Sequence, residues 1–128
     1  MKKDDILARL KTLPFAPGEY WLVSGAAMVL YGIKEETPDL DLGCTPELAD
    51  QLEKDGYFCE ITPDGNRRLR IDDETEIFEN WLCGSIEFHE GIPIMSLQGL
   101  REMKQRLGRE KDLRDIHLID EFISKASP

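Results

Sequence analysis

The stretch VSGAAMVLYG at residues 23–32, followed by TPDLDL at residues 37–42, determines how this chain folds. The first part is apolar and rich in small residues, which predicts a short helix entered from a strand through a small-residue turn. The second part predicts a strand from which Asp39 and Asp41 project on one face, because side chains alternate along a strand. Two carboxylates beside a helix N-terminus are suited to hold a divalent metal that carries a phosphorylated ligand.

The size and charge of the chain limit what it can do. Its 128 residues are sufficient for one domain with a hydrophobic core, so we expect residues 1–128 to form a single domain. Its 26 acidic and 16 basic residues give a formal net charge of -10, which repels a polyanion over most of the surface. Extended nucleic-acid binding is therefore not expected. Grouped carboxylates are consistent with a metal site, because a bound cation offsets their mutual repulsion.

The sequence shows neither a membrane span nor a secretion signal. No apolar run approaches bilayer length, and residues 1–5 (MKKDD) lack the hydrophobic stretch of a signal peptide. We therefore expect a cytoplasmic protein with no membrane contact. The three cysteines, Cys44, Cys59 and Cys83, are odd in number and widely spaced, which fits neither a zinc site nor a disulfide framework.

Hydrophobic periodicity and turn residues predict helices and strands along the whole chain. The predicted helices cover residues 5–13, 26–31, 46–53, 97–107 and 112–124. The predicted strands cover residues 20–23, 39–44, 57–62, 67–71, 75–79, 85–89 and 92–95. Gly32 is expected to end the second helix, and Thr45 is expected to cap the third. The last helix carries an apolar stripe formed by Leu113, Ile116, Leu118, Ile119, Phe122 and Ile123.

The turn Ser24-Gly25, the helix after it and the segment TPDLDL at residues 37–42 resemble the signature of the nucleotidyltransferase superfamily, whose fold is shared with DNA polymerase beta. Residues 100–118 are similar to the closing segment of small bacterial members. Such members include stand-alone proteins and components of abortive-infection or toxin–antitoxin systems, and antibiotic nucleotidyltransferases share the same fold. The resemblance implies an α+β fold with a mixed, mostly antiparallel sheet flanked by helices and with C-terminal helices packed on the core.

The resemblance also implies an activity, the transfer of a nucleoside monophosphate from a nucleoside triphosphate to the hydroxyl group of an acceptor. Asp39 and Asp41 would bind two Mg²⁺ ions, one holding the triphosphate and the other activating the acceptor hydroxyl. Ser24 and Gly25 would contact the phosphates where the helix begins. Glu76 would supply the third metal-binding carboxylate, at a position where the family mostly has aspartate.

The third carboxylate and the basic side chains each have alternatives. Asp72 and Asp73 are the other candidates for the third carboxylate. Lys104 and Arg109 are expected to bind the triphosphate, or a phosphate-bearing acceptor, through charge-assisted hydrogen bonds. For Arg109 the alternative is a solvated helix end, where a cation complements the helix dipole, and this is our interpretation of Lys111.

Arg67, Arg68 and Arg70 form a second basic group on a predicted strand. Alternation places Arg68 and Arg70 on one face. We interpret these arginines as exposed surface residues, with contact to an acceptor as the alternative. Trp21 and Trp81 are expected to pack in the core, although Trp81 follows the strand of Glu76 closely enough to border a pocket.

The acceptor and the partners are not determined by the sequence. A drug, a tRNA end, a partner protein and a small metabolite all remain open as acceptors. A chain this short leaves part of an active-site cleft uncovered, so a homodimer or a second protein subunit is a candidate for its far wall. The alternative function is a catalytically inactive binding or regulatory module, antitoxin-like or a partner subunit, whose acidic surface would suit a basic protein.

Overall fold

The computed structural model describes residues 1–126, which form seven strands and five helices. The helices are α1 (Lys3–Thr12), α2 (Ser24–Tyr31), α3 (Pro46–Lys54), α4 (Leu97–Leu107) and α5 (Glu110–Ala126). The strands are β1 (Tyr20–Leu22), β2 (Leu40–Cys44), β3 (Phe58–Ile61), β4 (Arg67–Arg70), β5 (Thr75–Glu79), β6 (Ile86–His89) and β7 (Ile92–Met95). All of the predicted elements are present, and their ends lie within two residues of the predicted ends.

The seven strands form one sheet in the order β3-β4-β5-β2-β1-β7-β6. β1 pairs in parallel with β7 and β2 pairs in parallel with β5, whereas the other neighbours are antiparallel. The predicted α+β class with a mixed, mostly antiparallel sheet is confirmed. The register aligns Asp41 of β2 with Glu76 of β5, so these two carboxylates project from the same face of the sheet.

Local sequence explains where several elements end. Gly32 ends α2 with a φ of 84°, a left-handed conformation that favours glycine. Thr45 caps α3, because its hydroxyl accepts a hydrogen bond from a backbone N–H of the helix at 3.3 Å. Glu90 and Gly91 both have positive φ values and form the two-residue turn between β6 and β7. The sequence predictions for Gly32, Thr45 and this hairpin are confirmed.

The side chains of the central strand β2 alternate between an apolar side of the sheet and a more polar side. Leu40 and Leu42 are fully buried on one side, where they align with buried residues of β5 such as Ile77. Asp41 and Gly43 project from the opposite side because the strand alternates. Asp41 therefore lies on the polar side of the sheet, together with Glu76.

The N-terminal half of α5 departs from the predicted apolar stripe. Ile116 and Ile119 are buried, but Leu113 is 58% exposed, so its assignment to the stripe was wrong. Asp112 and Asp115 are buried beside Ile116 in this part of α5. The stripe fails here because basic side chains face the two aspartates, and ion pairs replace apolar contacts at the inward positions.

The cysteines agree with their interpretation as small hydrophobic residues. Cys44 and Cys83 are buried, Cys59 is half-buried, and all three are free thiols. Burial raises the pKa of the Cys44 thiol to about 12, and the charge of Glu79 adds to this effect. No helix in residues 1–126 combines the length and the apolar character needed to span a bilayer.

Gly43 on β2 allows a close contact between two tryptophans. The indole Nε1–H of Trp21 donates a hydrogen bond to the backbone carbonyl of Trp81 at 2.8 Å. A Cβ atom at position 43 would lie 2.1 Å from Trp21 Nε1 and 2.7 Å from the Trp81 carbonyl oxygen. The hydrogen bond that positions the segment after β5 therefore requires glycine at this point of β2.

We expect Gly43→Ala to lower the free energy of unfolding by about 1–3 kcal/mol, because a Cβ atom overpacks the site and strains the hydrogen bond between the two tryptophans. Urea unfolding measures this change. Gly18→Ala is the matched control, since no atom lies within 4 Å of a Cβ atom at position 18. Equal stability of the two variants would contradict the steric argument.

Candidate active site

The first turn of α2 and the start of β2 meet at one cleft on the polar side of the sheet. Ser24, Gly25, Asp39 and Asp41 all line this phosphate-side cleft, which has a volume of about 290 Å³. The structure thus brings the two sequence motifs together. Asp41 lies within β2, whereas Asp39 lies just before the strand, which begins at Leu40.

The N-terminus of α2 is open to the phosphate-side cleft. Ser24 is the first residue of the helix and has a φ of 55°, a left-handed conformation that is uncommon outside glycine. The predicted turn at Ser24-Gly25 is therefore the first turn of the helix itself. Val23 at the N-cap position supplies no side-chain hydrogen bond, so backbone N–H groups of the first turn have no capping partner. Unpaired N–H groups and the positive end of the helix dipole favour an anion here.

Gly25 allows Thr37 to lie directly against α2. A Cβ atom at position 25 would lie 2.3 Å from Thr37 Oγ1, and Thr37 is buried. The Thr37 hydroxyl in turn donates a hydrogen bond to the backbone carbonyl of Asp39 at 3.5 Å. The position of Asp39 relative to α2 therefore depends on the missing side chain at Gly25.

The ionised form of Asp41 is destabilised in the folded protein. Burial, together with the charges of Asp39 and Glu76, raises the pKa of Asp41 to about 6. The positive charges of Lys104 and Arg68 act in the opposite direction but do not offset the increase. Asp39 and Glu76 are therefore both close enough to Asp41 to disfavour its ionised form.

Glu76 is aligned with Asp41 but is bound to two arginines. Arg68 Nε donates a short hydrogen bond to Glu76 Oε2, and Arg70 Nη2 lies 3.7 Å from Glu76 Oε1. Within residues 1–126, no three carboxylate, imidazole or thiol side chains are grouped in a way that could hold a metal ion. The role of Glu76 as a third metal-binding carboxylate stays a prediction.

The alternative third carboxylates lie away from the phosphate-side cleft. Asp72 Oδ2 accepts a hydrogen bond from Arg9 at 2.7 Å, and Asp72 Oδ1 accepts one from the backbone N–H of Glu74 at 2.9 Å. Asp73 is exposed in the connection between β4 and β5. Neither aspartate lines the cleft that contains Asp39 and Asp41.

Lys104 lies behind Ser24 at the centre of a buried charge cluster. Its Nζ atom donates a hydrogen bond to Ser24 Oγ at 3.2 Å and lies 3.0 Å from Asp115 Oδ2 and 3.6 Å from Asp112 Oδ1. Asp115 also contacts Lys34 at 2.9 Å. Only 5% of the Lys104 side chain is exposed. Lys104 is therefore at the predicted site, but it is already surrounded by two carboxylates and a hydroxyl.

The two aspartates of the cluster remain ionised despite burial. Burial opposes ionisation of Asp112, but hydrogen bonds from Arg109 hold its pKa below the ordinary value. Burial likewise opposes ionisation of Asp115, and hydrogen bonds from Lys34 and Lys104 lower the pKa of its carboxyl group. Arg109 contacts Asp112 through its Nε atom at 2.6 Å and its backbone N–H at 3.1 Å. Arg109 is thereby fixed at the mouth of the cleft.

Basic side chains are concentrated at the phosphate-side cleft although the chain is acidic overall. In residues 1–126, neither Lys111 nor Arg114 has a carboxylate partner, so both cations are available to an anionic ligand. From the sequence, Lys111 was interpreted as a solvated helix end, and Lys34 and Arg114 were not among the predicted site residues. The spacing of three residues between Lys111 and Arg114 is a signal that could have indicated a shared helix face. The basic residues that line the cleft are Lys34, Lys104, Arg109, Lys111 and Arg114.

A second and larger space, the sheet-side cleft, adjoins the first and has a volume of about 520 Å³. Ser24, Asp41, Arg109 and Lys111 line both clefts. The two spaces are therefore continuous past Asp41. Trp81 packs half-buried against the core, as expected, and also borders the sheet-side cleft, as its position in the sequence indicated.

The three arginines of β4 differ in their surroundings. Arg67 is only 15% exposed, and its guanidinium contacts Asp50 Oδ1 and Glu79 Oε2 at 2.7 Å each, so the expected surface exposure was wrong for this residue. The ion pairs with α3 and β5 are what bury it. Arg68 and Arg70 share a face, as alternation predicts, and both contact Glu76 on the polar side of the sheet.

Comparison with solved structures supports the fold over the whole chain. The structure is similar to the crystal structure of a "putative nucleotidyltransferase" from Thermotoga maritima, with a TM-score of 0.61 and 16% sequence identity. The similarity covers 98% of this chain and 96% of the Thermotoga chain. No protein-family profile matches the sequence, and neither does any curated protein. The chain therefore has the nucleotidyltransferase fold that its motifs predicted, with a sequence far from its structural neighbour.

The raised pKa of Asp41 predicts a dependence of stability on pH. The folded state holds the Asp41 proton more strongly than the unfolded chain, in which the carboxyl has its ordinary pKa of 3.8. The stability that comes from this proton is fully present at low pH and is lost as the pH rises to about 6. Above that pH, an ionised Asp41 destabilises the fold by roughly 1–3 kcal/mol in the absence of a bound cation.

We expect Asp41→Asn to raise the melting temperature at pH 7.5 without divalent cations, because the amide removes the charge and keeps the shape. The gain should shrink as the pH is lowered toward 4. Differential scanning fluorimetry across this range measures the change, with Asp73→Asn as the control at an exposed carboxyl outside the cleft. A gain that is the same at both ends of the pH range would contradict the electrostatic explanation.

Proposed function

We propose that this protein transfers a nucleoside monophosphate from a nucleoside triphosphate to the hydroxyl group of an acceptor, with magnesium as cofactor. One observation carries the proposal. Asp39, Asp41 and the uncapped N-terminus of α2 lie in the same cleft, which basic side chains line. Such a cleft offers carboxylates to a metal and N–H groups and cations to phosphates. The likeness of the fold to a nucleotidyltransferase-like structure supports the same reaction class.

The residues at the site fit magnesium. In nucleotide sites, Mg²⁺ is typically bound by one or two carboxylates together with phosphate oxygens. Asp39 and Asp41 form such a pair, and the repulsion that raises the pKa of Asp41 is relieved by a dication. When bound, two Mg²⁺ ions supply positive charge that stabilises the attacking and leaving oxygens of an in-line displacement. Glu76 would join Asp39 and Asp41 as a metal ligand once its contact with Arg68 is broken.

In the proposed reaction, the acceptor oxygen forms a bond to the α-phosphorus, and the bond from that phosphorus to the bridging oxygen of the leaving pyrophosphate breaks. The hydroxyl proton is released to solvent. The chain contributes positioning and charge. The first turn of α2 and the free cations Lys111 and Arg114 bind the phosphates, whereas Arg109 is held at the cleft by Asp112. Lys104 acts as a positioning residue, because its ammonium group holds the Ser24 hydroxyl.

Residues 1–128 are proposed to work as one domain in the cytoplasm, where nucleoside triphosphates and magnesium are available. The acceptor could be a drug, a tRNA end, a partner protein or a small metabolite. Lys111 is exposed and lines both clefts, so a second copy of the chain or another subunit is the proposed cover for the bound acceptor.

We expect wild-type protein to bind ATP more tightly with Mg²⁺ than without it, because the carboxylates repel an uncomplexed triphosphate. Combining Asp39→Ala with Asp41→Ala should remove the magnesium dependence and reduce transfer of α-labelled nucleotide at least 100-fold. Isothermal titration calorimetry measures binding, and Asp73→Ala is the control outside the cleft. Wild-type protein that shows no magnesium-dependent binding would defeat the proposed function.

Arg68 is expected to compete with metal for Glu76. Arg68→Ala should strengthen Mn²⁺ binding in the absence of nucleotide by about threefold to tenfold, because the Glu76 carboxylate loses its guanidinium partner. Electron paramagnetic resonance of free Mn²⁺ measures the affinity. In a Glu76→Gln background, the gain from the Arg68 substitution should be smaller, because only the effect of the Arg68 charge on Asp41 remains, and a double-mutant cycle shows this directly. The same gain in both backgrounds would mean that Glu76 does not bind the metal.

A second candidate function is a catalytically inactive binding or regulatory module, antitoxin-like or a partner subunit. The observation that favours it is the ion pairing of Glu76 with Arg68 and Arg70, which occupies the third carboxylate. A surface with a formal net charge of -10 would attract a basic protein partner. Magnesium-dependent ATP binding without transfer to any acceptor, unchanged by Glu76→Asp, would support this candidate over the enzyme.

A further inference from the structure

The sheet-side cleft has an aromatic wall, formed by Phe78 and Trp81, that the phosphate and metal chemistry does not use. The rings of Phe78 and Trp81 pack with their centroids 4.6 Å apart and their planes inclined by 58°. The guanidinium carbon of Arg68 lies over the Phe78 ring, 5.9 Å from its centroid. All three side chains line the cleft. They form a row of π-surfaces, the kind of surface on which nucleobases stack.

The fold holds this aromatic wall in place. Phe78 lies on β5, in register with Gly43 of β2. Trp81 is tied to β1 through its backbone carbonyl, which accepts the hydrogen bond from Trp21 above Gly43. The wall is therefore formed before any ligand binds, which lowers the entropic cost of binding a flat ring.

Two amide side chains lie in the same cleft as the aromatic wall. Asn80 Nδ2 donates a hydrogen bond to Asn66 Oδ1 at 3.3 Å, and the Asn66 side chain also bonds Asp64. An amide nitrogen carries two hydrogens, so one N–H of Asn66 and the carbonyl oxygen of Asn80 are still available. Asn80 has a φ of 59°, a left-handed conformation that asparagine tolerates better than most residues. A neighbouring donor and acceptor match the hydrogen-bonding edge of a nucleobase.

The two clefts are continuous, so one ligand can occupy both. Ser24, Asp41, Arg109 and Lys111 line both spaces, and Asp41 is where the proposed function has the nucleotide transferred. When the triphosphate of a nucleotide is held at the N-terminus of α2, the rest of the nucleotide can therefore extend past Asp41 into the sheet-side cleft. The volume of about 520 Å³ is within the range of small-molecule sites and accommodates a sugar and a base.

We propose that the sheet-side cleft binds the base of the nucleotide, which stacks on Trp81 and Phe78 and has its edge read by Asn66 and Asn80. The inference rests on the proposed function and names the part of the substrate that this wall recognises. Trp81 and Phe78 supply affinity that does not depend on the base, because every base has a π-face. Asn66 and Asn80 supply the preference among bases.

The test compares a nucleotide with inorganic tripolyphosphate, which has the phosphates but no base. With Mg²⁺ present, wild-type protein should bind ATP at least tenfold more tightly than tripolyphosphate in calorimetric titrations. Trp81→Leu should weaken ATP binding about tenfold and change tripolyphosphate binding less than twofold. Because the Trp81 backbone accepts the bond from Trp21, this substitution keeps that hydrogen bond. Phe78→Leu is a second variant with the same expected pattern.

Phe88→Ala is the matched control, because Phe88 is a 63% exposed aromatic residue on β6 that lines neither cleft. It should leave both affinities unchanged. ATP should also quench tryptophan fluorescence where tripolyphosphate does not, and the quenching should disappear in Trp81→Leu. Asn66→Ala should change the order of affinity among ATP, GTP, CTP and UTP without altering tripolyphosphate binding.

The outcomes separate this inference from the proposed function. Equal affinity of wild-type protein for ATP and tripolyphosphate would overturn the base site and leave the phosphate site standing. If Trp81→Leu and Phe78→Leu weaken the binding of ATP and of tripolyphosphate equally, the aromatic wall is only structural, which also overturns the inference. If Asn66→Ala leaves the order of affinity among the four nucleotides unchanged, the amide side chains do not read the base, and that part of the inference is overturned. Failure of both ligands to bind wild-type protein with Mg²⁺ would overturn the base site and the proposed function together.

Discussion

The C-terminal helices are joined to the first turn of α2 by the buried ammonium group of Lys104. This group on α4 contacts Asp112 and Asp115 on α5 and the hydroxyl of Ser24 on α2. A buried charge is costly unless it is paired, so the packing in which all of its partners are present is strongly favoured over nearby alternatives. Asp112 also fixes Arg109, which extends the cluster to the mouth of both clefts. The geometry of the candidate site therefore depends on a charge pairing behind it.

The two charge groups of the site differ in how well they are balanced. In the cluster around Lys104, hydrogen bonds lower the pKa values of Asp112 and Asp115 despite burial. Around Asp41, burial and two neighbouring carboxylates raise the pKa to about 6. The fold thus balances one group of buried charges and leaves repulsion at Asp41 in the adjacent group, which a bound cation would relieve. Perturbed ionisation beside a cleft is typical of functional sites.

The parts of the site that follow from local sequence could be predicted, and those that depend on distant contacts could not. Ser24, Gly25, Asp39 and Asp41 are joined by one strand–helix–strand unit, whose residue pattern and spacing are visible in the sequence. The ion pairing of Glu76 with Arg68 requires the register between β4 and β5, which single-sequence patterns do not give. The convergence of Lys34, Lys111 and Arg114 requires the packing of α5 beside the connection after α2. Leu113 was assigned to the core for the same reason, since helical periodicity does not show that aspartates take the inward positions.

Gly25 and Gly43 determine which residues line the two clefts on either side of Asp41. Gly25 lets Thr37 approach α2 and thereby places Asp39 in the phosphate-side cleft. Gly43 lets Trp21 bond the backbone of Trp81 and thereby places the aromatic wall of the sheet-side cleft. Asp41 lies on β2 two residues before Gly43 and lines both spaces. Because each close approach acts through a different partner, the two clefts can be disturbed separately while Asp41 stays on the same central strand. The separation of the phosphate-side cleft from the sheet-side cleft thus has a structural origin in Gly25 and Gly43, where the absence of a side chain permits the two close approaches.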